Sequence, residues 1–117
     1  MGKNSVCHVE ISVSDAIKAS NFYKDLFGWE LNQAMGDEYI LFNTVDGPGG
    51  AFSKVENHTA GNNVVYYIEV DDINAFLKRA EELGGKQIVP KSEIPGHGWF
   101  AHVADLDGNL IGLFSEK

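Results

Sequence analysis

Cys7-His8-Val9-Glu10-Ile11-Ser12-Val13-Ser14-Asp15 is written a second time, in other letters, as Val64-Val65-Tyr66-Tyr67-Ile68-Glu69-Val70-Asp71-Asp72. Val65 stands 57 positions after His8, and Asp72 stands 57 after Asp15. The spacing persists downstream, where Leu26 falls on Leu83 and Gly28 on Gly85. Near the two ends, Gly50-Ala51-Phe52-Ser53 resembles Gly112-Leu113-Phe114-Ser115, with the offset grown to 62. Two copies are too few for a stacked solenoid, so the duplication implies two packed modules related by a pseudo-twofold axis. A cleft between such halves is the natural place for a ligand.

Each copy carries the same series of signals. Val6 to Val13 alternates, with Val9, Ile11 and Val13 on one face and His8, Glu10 and Ser12 on the other, as a strand requires. Ser14 or Asp15 then caps a helix whose apolar stripe is Ala19, Phe22, Tyr23, Leu26 and Phe27. Gly28 ends it in the left-handed conformation that closes many helices. Trp29 to Gln33, Glu38 to Thr44 and Gly50 to Val55 read as short strands separated by turn residues. After a polar connector from Glu56 to Asn63 the pattern recurs. Val64 to Val70 is a strand, and Asp72 caps a helix carrying Ile73, Phe76, Ala80 and Leu83. Gln87 to Pro90, Trp99 to Ala104 and Leu110 to Phe114 supply the last strands. The expected fold is α+β: tandem βαβββ modules, about 5–56 and 63–116 of a single domain over 1–117, with curved mixed sheets around a central cavity.

Composition bounds the function. A chain of 117 residues, 44% hydrophobic and 22% charged, can bury a core without disulfides. Cys7 is the one cysteine, so no internal disulfide forms. No apolar signal region opens the sequence and no stretch approaches a membrane span, which points to a cytoplasmic protein with no membrane partner. Nine basic against 17 acidic residues give a net charge of −8, which repels phosphate backbones and argues against nucleic acid. The same acidity either favours a cationic ligand or simply keeps a small domain soluble.

His8-Val9-Glu10-Ile11-Ser12-Val13-Ser14-Asp15, Asn21-Phe22-Tyr23 and Leu26-Phe27-Gly28-Trp29 together resemble the first module of the vicinal oxygen chelate superfamily. That group includes glyoxalase I, bleomycin-resistance proteins and extradiol dioxygenases. Val70-Asp71-Asp72, Glu82-Leu83-Gly84-Gly85 and Asp105-Leu106-Asp107-Gly108-Asn109 extend the likeness through the second half. The resemblance implies His and Glu ligands on equivalent strands of the two modules, holding a divalent metal that binds vicinal oxygens of a substrate. Carried over position by position, it leaves His8 in the first slot and Val65 in the second, Gly112 on the last strand, and Gly50 or Ala51 in its counterpart. Only His8 has a donor, whereas catalytic metal sites use about three protein ligands. No cofactor is therefore expected; any divalent metal would fall to His8 and Glu10 with an unconventional third ligand such as His102.

His8 and Glu10, two apart on one strand, project to one face about 6.6 Å apart at their α-carbons. They are a metal-ligating pair, a ligand-contacting polar pair, or a structural pair. Tyr67 matches Glu10 in the repeat and Glu69 matches Ser12. These two either share a cavity with His8 and Glu10, or Tyr67 packs in the core while Glu69 meets solvent. His102 shares a strand face with Phe100 and Ala104. Trp29, Trp99, Phe42, Phe52 and Phe114 are most economically core residues, and of these Trp99 is also a candidate ligand contact. His97 sits in a turn able to cover a cavity mouth, and His58 lies in the connector. Loops Asn32 to Asp37 and Ser92 to Gly98 are where specificity would reside. The leading expectation is a small-molecule-binding protein, glyoxalase- or bleomycin-resistance-like, using His8, Glu10, Tyr67, Glu69, His102 and Trp99, and forming a homodimer. The alternatives are a metal-dependent lyase or isomerase acting on a vicinally oxygenated substrate, and a dimerisation module with no accessible cavity.

Overall fold

The structure is a computed structural model that describes residues 3–59 and 63–117; part of the polar connector, 60–62, lies outside them. The described residues group into two compact units, His8–Val65 and Tyr66–Lys117, the latter joined by the N-terminal residues through Cys7.

In the first unit the order is β1 (Val6–Val13), α1 (Ala16–Phe27), β2 (Glu30–Asn32), β3 (Tyr39–Asn43) and β4 (Gly49–Lys54). Its strands lie side by side as β2-β3-β4-β1, with β1 and β4 parallel and the rest antiparallel. The alternation of β1 is realised: Val9, Ile11 and Val13 pack with Ile40, Phe42 and Phe52 under Ala16, Ala19 and Tyr23 of α1. Asp15 is the helix cap, accepting from the Lys18 N–H at 3.0 Å. Gly28 closes the helix with φ 75°, donating its N–H to Lys24 O.

The stripe on α1 differs from the expected one. Ala16 and Ser20 are buried, whereas Phe22, Leu26 and Phe27 are exposed. Small side chains hold the line of closest approach between helix and sheet, and the Ser20 hydroxyl is satisfied by the Ile17 carbonyl at 2.9 Å. A stripe chosen by apolarity alone rotates away from that line.

The second unit repeats the plan with β5 (Val64–Glu69), α2 (Ile73–Glu82), β6 (Lys86–Ile94), β7 (Gly98–Ala104) and β8 (Leu110–Ser115), laid out as β5-β8-β7-β6. Asp72 caps α2 through the Ala75 N–H. Val70, Ile73, Leu77, Ala101, Val103 and Leu113 form its core. Leu77 is a core residue that the expected stripe omitted, while Phe76 and Leu83 remain exposed. β6 runs past Pro90 to Ile94, so Ser92 belongs to a strand and not to a specificity loop. Proline is tolerated because β6 ends the strand order of this unit, and the pairing with β7 shifts register on either side of Val89. Both units are thus βαβββ modules of the α+β class, as the repeat implies.

Register corrects one equivalence. Glu10 pairs with Ala51 and Tyr67 pairs with Gly112, so Gly112 corresponds to Ala51, 61 positions earlier. The Gly-Ala-Phe-Ser and Gly-Leu-Phe-Ser matching is one residue out. In a strand, a slip of one moves every side chain to the other face.

Candidate functional site

The sheet face opposite α1 carries His8, Glu10 and Ser12 by alternation. β3 brings Tyr39 to the same face, since Tyr39 alternates with the buried Ile40 and Phe42 and stands opposite Ser53, itself paired with Ser12. The three polar side chains form a chain of hydrogen bonds. Tyr39 donates its phenol proton to Glu10 Oε2 at 3.0 Å. His8 Nε2 lies 3.1 Å from Tyr39 Oη. A phenol has one proton; donated to the carboxylate, it leaves the phenol oxygen able to accept from the Nε2–H tautomer of His8. Burial pushes the His8 imidazole below its ordinary range, against an opposing pull from the Glu10 charge, so at neutral pH it is uncharged. The cluster therefore sets the Glu10 carboxyl group against the phenol, with the uncharged imidazole on the phenol's other side.

Tyr39 is not among the residues that the sequence alone singles out. The available signal is its place in the alternating run Tyr39-Ile40-Leu41-Phe42, which sets the phenol on the face opposite Ile40 and Phe42.

In the second unit, Tyr67 and His102 meet. Tyr67 pairs with Gly112 on β8, which pairs with His102 on β7. The phenol ring lies across Gly112, and Tyr67 Oη reaches His102 Nε2 at 2.8 Å. Phe100 stands beside the imidazole, ring centroids 5.5 Å apart. Trp99 is not brought to this face: it packs against the core beneath α2, with Lys91 Nζ 5.0 Å from its ring centroid. Glu69 is engaged elsewhere, in an ion pair with Lys3 at 3.1 Å. His97 occupies the turn between β6 and β7, where its N–H donates to Ile94 O. His58 is exposed and borders an open depression of about 350 Å³ with Val13, Ser14, Asp15, Lys18 and Ala19, away from His8 and Glu10.

The residues do not fit the metal site that the family resemblance implies. Val65 and Ala51 have no donor atom. A Cβ at Gly112 would lie 2.5 Å from Tyr67 Cε2 and 2.7 Å from Cγ, so the space of a last-strand ligand is filled by the phenol ring. His8 already engages Tyr39. Among the described residues no three His, Cys, Asp or Glu side chains gather in a metal-binding group.

Gly112→Ala is expected to push the Tyr67 ring off β8 and break its bond to His102, at a cost of about 1–3 kcal/mol. Urea unfolding measures it. In a Tyr67→Leu background the added methyl should cost markedly less; an equal cost in both backgrounds would show that Gly112 accommodates something other than the ring.

Comparison with known proteins identifies the family and agrees with the fold. Residues 5–113 match the model of the Glyoxalase/Bleomycin resistance protein/Dioxygenase superfamily. A glyoxylase-like domain-containing protein of Didymella fabae is 32% identical over 115 residues, covering 90% of this chain and 88% of that protein. Methylmalonyl-CoA epimerase from Mycobacterium tuberculosis superposes with a TM-score of 0.74 at 16% identity, over 100% of this chain and 92% of the other. The Mn(II)-bound glyoxalase from Novosphingobium aromaticivorans gives 0.72 at 18% identity, over 97% of this chain but 39% of that one. The two superpositions show the fold alone, and a shared fold carries many chemistries. With the family model spanning both βαβββ modules, the chain belongs to the Glyoxalase/Bleomycin resistance protein/Dioxygenase superfamily.

Proposed function

We propose that this superfamily member binds a small organic ligand on the sheet face of His8, Glu10 and Tyr39. The supporting observation is the continuous His8–Tyr39–Glu10 hydrogen-bond chain. These side chains come from two strands and point away from the helix-covered core, so packing of the first unit does not require them. A half-buried carboxylate and imidazole cost desolvation energy that apolar residues would avoid. Retaining them there is what an oriented recognition site needs, because a polar group held by its neighbours meets a ligand without further ordering. Within the second unit, Tyr67 and His102 form a polar pair of their own, with an aromatic neighbour in Phe100.

A metal-dependent lyase or isomerase is the weaker reading. It needs several donors converging on one ion, and three of the four slots hold Val65, Ala51 and Gly112.

A fragment screen by ligand-observed NMR, with binding mapped on backbone amides, tests the proposal. Binders should perturb His8, Glu10 and Tyr39. Tyr39→Phe removes the oxygen that joins imidazole to carboxylate and should weaken them by about tenfold, the equivalent of ~1.4 kcal/mol. Fragments that map elsewhere, or bind Tyr39→Phe as tightly, would sink it.

A further inference from the structure

The two carboxylates that β1 and β5 carry on the faces away from their helices are treated differently. Glu69 is neutralised by Lys3. Among the described residues Glu10 enters no ion pair, and its one hydrogen bond there is the phenol on Oε2. The phenol donates toward Glu10, so the Tyr39–Glu10 contact ends in an acceptor. Oε1 is left with its full accepting capacity on a half-buried residue.

We infer that the ligand taken by this face carries a protonated amine or amidinium group, and that Glu10 Oε1 receives it. This rests on the proposed function and names the ligand class. A partly desolvated carboxylate without a counter-ion gains more from an incoming cation than one in water does, because the attraction strengthens as the dielectric falls. The phenol on Oε2 fixes the rotation of the carboxylate, so Oε1 is presented in one direction. An anionic ligand would meet repulsion from Glu10 with no basic side chain paired to it. The chain's net charge of −8 raises the local concentration of cations over anions.

The test uses three probes of one shape and different charge: benzylamine, benzyl alcohol and benzoate, titrated into the full chain and followed by amide NMR. Benzylamine should shift His8, Glu10 and Tyr39 saturably and bind at least tenfold more tightly than the other two. Glu10→Gln should weaken it at least tenfold, and Glu10→Asp, which keeps the charge, by less. Glu81→Gln removes the same charge from exposed α2 and should leave affinity within twofold; an equal loss there would reduce the effect to bulk electrostatics and overturn the inference. Alcohol or benzoate binding at these residues as tightly as the amine would overturn the ligand class while the face remained a binding site. If none of the three moves these residues the cationic inference fails, and the fragment screen separately decides whether the face binds anything.

Discussion

Gly50→Ala is expected to destabilise the chain by about 3 kcal/mol or more, at the top of the range for overpacking. Gly50 lies in β4 between two neighbours, paired with Val9 of β1 and Phe42 of β3. An added Cβ would overlap the Val9 carbonyl oxygen, stand 2.8 Å from its carbon, and stand 2.7 Å from Phe42 Cζ. The Phe42 ring could turn, but the carbonyl belongs to a hydrogen-bonded ladder and cannot retreat without parting β1 from β4. A loss of this size is a large share of the ~5–15 kcal/mol that holds a domain folded. Gly28→Ala is the control. Gly28 has φ 75° and no atom within 4 Å of the added carbon, so its cost is conformational, about 1 kcal/mol. Paired urea titrations should rank Gly50→Ala well above Gly28→Ala, and similar midpoints would disprove the steric account.

The features legible in sequence were those fixed by local chemistry. Asp15 and Asp72 cap helices because a short carboxylate can reach the N–H three residues on, and both do so. The alternation of β1 separates His8 and Glu10 from Val9 and Ile11 whatever the rest of the chain does. What escaped depends on pairing. Tyr39 joins His8 and Glu10 only because β3 is laid beside β4, and β4 beside β1. Tyr67 occupies the space at Gly112 only because β5 and β8 pair with those two residues opposite each other. The α1 stripe is legible only in Ala19 and Tyr23, because apolar size marks a preference for burial, whereas closest approach to a sheet selects small residues such as Ala16 and Ser20.

Phe52→Ala and Phe114→Ala carry this distinction into energetics. The two phenylalanines stand at matching places in the resembling tetrapeptides, so by sequence they would contribute alike. Register places them on opposite faces: Phe52 corresponds to Leu113, which is a core residue beneath α2, while Phe114 corresponds to Ser53. Phe52 is 0% exposed, with its ring centroid 5.0 Å from those of both Tyr23 and Phe42. Truncating it loses the transfer energy of a full aromatic side chain and leaves a void flanked by rings that cannot collapse into it. The expected cost is about 3–5 kcal/mol. Phe114 is half-buried on the face of Tyr67 and away from α2. Part of its surface already meets water, and the space left by truncation opens to solvent, so its removal should cost about half as much or less. Calorimetric or urea unfolding of the two variants gives the comparison directly. Equal losses would mean that the helix-side core and the opposite face contribute equally, and that a one-residue register shift has no energetic consequence here.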